Sequence, residues 1–148
     1  MKNVTSVLVS VFFVIALSSC ATKPFTQDEA NAAFEKVYGR YLSSLLLEDA
    51  QTYEVVAGDT LSAITRNFYG AGKGYYFPVI MLASNDVVLD PDLISPGMTL
   101  TIPDLEKNLD NPLTRSKIKD FLKEIADVYK RKGSSEVQQA LINTANAL

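Results

Sequence analysis

Apolar residues recur along this chain in three rhythms, and each rhythm predicts a different kind of element. From Val4 to Leu17 they run almost unbroken behind Lys2, and small residues follow up to Cys20. A basic start, an apolar stretch and a small-residue end organise a secretory signal, and the stretch falls short of the about 20 residues a helix needs to cross a bilayer. From Ala30 onward the step changes to three and four, through Ala33, Phe34, Val37, Tyr38, Tyr41, Leu42, Leu45 and Leu46. That spacing lays one stripe along a helix and asks to be buried. Thr26 and Glu29 have capping-box spacing at its start, so the helix is placed over 26–50 after a short tether over 20–25.

The middle third is built of short pieces. Tyr53 to Val56 predicts a strand that ends at Ala57-Gly58-Asp59. Asp59 is placed as the cap of a helix whose inner face is Leu61, Ile64, Thr65 and Phe68. A glycine-rich break from Tyr69 to Gly74 leads to a second helix from about Phe77 to Ser84. A turn-rich loop from Asn85 to Pro96 follows, and Met98 to Ile102 reads as a second strand closed by Pro103. Two strands alone are marginal in water, so both helices are expected on one face of a two-stranded antiparallel sheet. This is an α+β unit with little core to spare.

The last third returns to helical spacing. Proline at a first helical turn loses no needed donor, which makes Asn111-Pro112 a helix start. Ile118, Phe121, Leu122, Ile125, Ala126 and Tyr129 form the stripe, and Lys130, Arg131 and Lys132 before Gly133 suit the negative helix end. Ser135 and Gln138 repeat the capping-box spacing ahead of Val137, Ala140, Leu141, Thr144, Ala145 and Leu148. A C-terminal αα-hairpin over 105–148 is expected, with its apolar face either on the first helix or on a protein partner.

Composition then narrows the chemistry. The chain has no histidine and one cysteine, which removes Cys/His and Ser/His/Asp catalysis and the usual zinc arrangements. Asp86, Asp90 and Asp92 are close in sequence, but paired-carboxylate hydrolysis needs a deep cleft between acid and base. No catalytic residue, metal or cofactor is expected. The formal charge is −3, and removal of residues 1–19 with Lys2 takes it to −4, which argues against nucleic acid.

Leu17-Ser18-Ser19-Cys20 resembles the lipobox of bacterial lipoproteins. The resemblance implies cleavage of a signal peptide over 1–19 and acylation of Cys20, with palmitate-type chains anchoring the protein to a membrane without crossing it. Ala21 after the cysteine implies, by the same resemblance, the periplasmic face of an outer membrane.

Tyr53, Val55, Gly58-Asp59-Thr60-Leu61, Ile64, Phe68-Tyr69-Gly70, Ile80, Asn85, Pro91-Asp92-Leu93-Ile94, Pro96-Gly97, Leu100 and Ile102-Pro103 resemble, in order and spacing, the LysM domain. The resemblance implies a LysM domain over 51–104 with a βααβ fold, flanked by the N-terminal helix and the C-terminal hairpin. It further implies non-catalytic binding of N-acetylglucosamine glycans, chiefly peptidoglycan. The groove it implies has Gly58, Asp59, Thr60 and Leu61 on one side and Asp92, Leu93 and Ile94 on the other. Asp59 has a capping role open to it independently of ligand, and Thr65 stands where the family more often has alanine.

The linker carrying Tyr75-Tyr76-Phe77 is longer than in the short form of the family, so these aromatics either stack on sugar or fill the gap beside the loop. The longer linker also resembles the LysM part of bacterial potassium-binding proteins. The expected partners are therefore peptidoglycan strands, a membrane through Cys20, and an envelope protein such as a cell-wall enzyme if the hairpin serves as a scaffold.

Overall fold

The computed structural model describes residues 25–148; the signal segment and Cys20 lie outside the described residues. Among these residues six α-helices and one two-stranded sheet make an α+β fold: α1 (Gln27–Tyr41), β1 (Gln51–Glu54), α2 (Leu61–Tyr69), α3 (Phe77–Ala83), β2 (Thr99–Ile102), α4 (Leu105–Asp110), α5 (Pro112–Arg131) and α6 (Ser135–Asn146). Among the described residues no helix is long and apolar enough to cross a membrane.

The capping box forms at the start of α1. Thr26 Oγ1 accepts from the Glu29 N–H at 3.3 Å, and the Thr26 N–H donates to Glu29 Oε2 at 2.9 Å. Ala30, Phe34, Val37, Tyr38 and Tyr41 are buried as the stripe requires. The helix stops at Tyr41, well before residue 50, and Leu42 is left 48% exposed. A 3₁₀ turn, Leu42–Ser44, follows, and beyond it a tertiary contact holds the chain out of a helix. The buried Asn108 side chain takes both backbone groups of Leu46, accepting from its N–H at 2.8 Å and donating to its carbonyl at 2.9 Å. A helical Leu46 could not offer both groups to it.

The strands run antiparallel, with Gln51 opposite Ile102 and Tyr53 opposite Leu100. Alternation sends Leu100 and Ile102 into the core while Thr99 stays exposed. Beyond β1 the contact between the two segments continues as single bonds, from Val55 N–H to Met98 O at 2.8 Å and from Gly97 N–H to Val55 O at 2.9 Å. Leu61, Ile64 and Thr65 bury the inner face of α2 as expected, and the Thr65 hydroxyl is satisfied by Leu61 O at 2.7 Å. Phe68 differs: it is 36% exposed and lies edge-on to Tyr53, with ring centroids 5.6 Å apart.

The chain after β2 is more elaborate than an αα-hairpin. Asp104 caps the short α4 by accepting from Lys107 N–H at 3.0 Å, and Asn111 then caps α5. All six expected stripe residues of α5, from Ile118 to Tyr129, are buried. The ring of Tyr129 meets Phe34 of α1 at 5.9 Å and Phe77 of α3 at 6.0 Å, so α5 is shared by the flank and the central module.

The α5–α6 turn is a Schellman motif: Ser134 N–H bonds Tyr129 O at 2.9 Å, Gly133 N–H bonds Lys130 O at 3.1 Å, and Gly133 has φ of +80°. The expected Ser135 capping box is absent, because Ser135 is the first helical residue and the preceding Ser134 makes no side-chain cap bond.

Candidate functional site

Two loops at one end of the sheet face each other across a cavity of about 400 Å³. The first leads into α2. Gly58 at φ +92° makes the reversal, a backbone conformation that favours glycine. Asp59 closes the turn by accepting from Val56 N–H at 2.9 Å and from the Tyr53 hydroxyl at 2.8 Å, and this bond raises the Tyr53 pKa above the ordinary phenol value. The expected cap role of Asp59 is therefore corrected. Thr60 caps α2, its Oγ1 accepting from Ala63 N–H at 3.2 Å. Asp59, fixed by Tyr53, shapes the loop ahead of the helix.

The second loop is a 3₁₀ turn, Pro91–Leu93, capped by Asp90. Asp90 is nearly fully buried and accepts from Asp92 N–H at 3.0 Å, from Gln27 Nε2 at 2.8 Å and from Lys132 Nζ at 2.8 and 2.7 Å. Burial works to raise its pKa, yet the bonds from Lys132, Gln27 and the Asp92 amide, with the Lys132 charge, outweigh burial and hold it below the ordinary carboxylate value. Lys132 also reaches Asp92 at 2.6 Å. Burial lowers its pKa, but the two carboxylates raise it further than burial lowers it. Lys132 thus ties the α5 terminus to the loop instead of merely complementing the helix dipole.

Of the expected groove residues, Asp59, Thr60, Leu61, Asp92 and Ile94 line the cavity. Gly58 and Leu93 do not: Gly58 shapes the loop from behind, and Leu93 is 52% exposed. The linker aromatics divide, since Tyr75 and Phe77 line the cavity and Tyr76 does not. Four further liners have no local signal: Ser62 and Arg66 on the outer side of α2, and Tyr129 and Val137 from the hairpin. Burial, then the charges of Asp92 and Asp90, raise the Tyr129 pKa strongly, so this wall presents a neutral hydroxyl, directed at Asp92 Oδ1 3.4 Å away.

The small βααβ unit thus carries, between these two loops, a shallow pocket that offers hydroxyls, apolar surface and charged side chains. Residues 53–103 match the LysM domain family. That segment is a LysM domain, a type of module that binds peptidoglycan- or chitin-type glycans and is generally non-catalytic.

Two curated proteins of Mycobacterium tuberculosis, Esterase MT1326 of strain CDC 1551 / Oshkosh and Esterase Rv1288 of strain H37Rv, are each 36% identical over 63 residues. The match covers 43% of this chain and 13% of each relative. It lies in the LysM region, so the word esterase describes those proteins alone. No solved structure matches the chain significantly.

Proposed function

We propose that the cavity between the Gly58–Leu61 and Asp92–Ile94 loops binds N-acetylglucosamine-containing cell-wall glycan without catalysis. In this reading the chain is an envelope lipoprotein held by lipid on Cys20 at the periplasmic face of an outer membrane, linking that membrane to peptidoglycan. The observation that carries the glycan reading is the convergence of five LysM groove positions on one cavity of about 400 Å³, within the range of small-ligand sites of about 300–1,000 Å³. Thr60 and Ser62 supply hydroxyls, while Ile94 and Phe77 supply apolar surface for an acetamide methyl. The anchor is argued from the lipobox-like Leu17-Ser18-Ser19-Cys20 alone. An anchored binder gains effective concentration, which makes weak glycan contacts useful.

The chain from Ala21 onward, mixed with purified peptidoglycan sacculi, will co-sediment saturably. Ser62→Trp fills the cavity from a partly exposed position and will lower the pelleted fraction at least about tenfold while keeping the parent's circular dichroism. A folded parent that stays in the supernatant would end the wall-binding reading.

A further inference from the structure

Resting on that glycan reading, we infer that the cavity selects a glycan bearing a carboxylate beside its N-acetylated sugar, and that Arg66 is the residue that recognises it. Among the described residues, three charged side chains line the cavity: Asp59, Arg66 and Asp92. Both carboxylates are occupied by the protein itself, Asp59 by the Tyr53 hydroxyl and Val56 N–H, and Asp92 by Lys132 Nζ and the Tyr129 hydroxyl. Asp90, behind the wall, is taken by Lys132 and Gln27. The Arg66 guanidinium has no hydrogen-bond or ion-pair partner among the described residues. Among the described residues it is the one cationic side chain lining the cavity, and its charge is unspent.

The linker makes room for that guanidinium. Gly74 is buried and has no positive φ to explain a glycine, but a Cβ there would lie 3.2 Å from both Arg66 Cγ and Arg66 Nη1. The missing side chain lets Arg66 pack against the linker, at a cavity that Ser62 and Thr60 also line. A planar guanidinium with an open donor edge pairs with a carboxylate in two parallel hydrogen bonds. Among N-acetylglucosamine glycans, chitin carries no such group. Peptidoglycan carries it as the lactyl carboxylate of a muramic residue whose stem peptide has been removed, or as the terminal carboxylate of a stem peptide.

Isothermal titration of the full chain in mild detergent at low salt tests this with three probes: di-N-acetylchitobiose, the N-acetylglucosaminyl-N-acetylmuramic acid disaccharide with its lactyl carboxylate free, and that disaccharide amide-linked to a dipeptide. One acidic probe will bind about tenfold more tightly than the neutral one, and which one it is names the source of the carboxylate. Arg66→Gln will erase the difference, Arg66→Lys will keep part of it, and Gly74→Ala, by displacing the guanidinium, will reduce it. Binding of all three probes with equal affinity, or a preference that survives Arg66→Gln, overturns the inference and leaves the glycan reading intact. Binding of none, by a chain with the parent's melting profile, removes both.

Discussion

Replacing Phe121 with alanine will lower the free energy of unfolding by about 4 kcal/mol, near the upper end for a single large-to-small change in a core. The ring is fully buried, and it packs against Tyr41 at 5.3 Å and Tyr38 at 6.4 Å between centroids. Two helices far apart in sequence meet on it, so neither can collapse into the space without giving up its own contacts. A chain of this size should lose roughly 15 °C in Tm. Urea unfolding followed by circular dichroism measures both. A loss under about 1 kcal/mol would mean that the α1–α5 contact is not part of the folded core in solution.

Lys132→Met will have the second largest effect, about 2–3 kcal/mol. Its Nζ lies 2.7 Å from a carboxylate whose side chain is 1% exposed, and Lys132 itself is only 15% exposed. Removing the cation strands Asp90 in the core. Gln27 Nε2 and the Asp92 N–H still hold that carboxylate, which keeps the loss below that of a buried charge with no donors left. The second arm, to Asp92, adds little because that side chain is 57% exposed.

The pH dependence of the same pair has a definite sign. Asp90 is held below its ordinary value of 3.8, so its contribution is complete above about pH 4 and is lost as pH falls through the folded-state pKa. Lys132 is raised above 10.5, so its contribution is complete below about pH 10 and is lost as pH rises through its own folded value. Urea unfolding of parent and variant at several pH values should show a constant difference near neutrality that narrows in acid. A difference that widens in acid would contradict the pairing.

Apart from the short α4, the order of elements was legible in the sequence because each is announced locally. The Thr26/Glu29 box starts α1, the reversal at Gly58 separates β1 from α2, and Asn111-Pro112 starts α5. Where two neighbouring residues could do one job, local reading chose the wrong one. Asp59 and Thr60 are both good caps, and the choice between them is made by the hydroxyl of Tyr53, which the fold brings to Asp59. The non-helical path at Leu46 is likewise held by Asn108, 62 positions further on.

The same limit applies to the site. Its loop positions carry a recognisable pattern, but Tyr129 and Val137 reach the cavity only because α5 and α6 pack there, and the pattern of the hairpin reads as an apolar face for the first helix or a protein partner. Arg66 falls outside the α2 stripe and carries no local mark. Its interest comes from what surrounds it in space.

Asn108 has a consequence for how the sheet is aligned. Four residue pairs between two strands specify their alignment weakly, and a slip by one residue would turn Leu100 and Ile102 outward. The Asn108 side chain makes three hydrogen bonds, two to Leu46 and one to Asp104 O at 2.8 Å. It therefore grips the chain just ahead of β1 and just behind β2, outside the Gln51–Ile102 pair. A slip that carried Leu46 along with β1 would have to break the two Leu46 bonds at a buried amide, where unmet donors are costly. One asparagine thus does for this short sheet part of what a longer ladder or a disulfide does elsewhere: it penalises the alternative alignments of the strands.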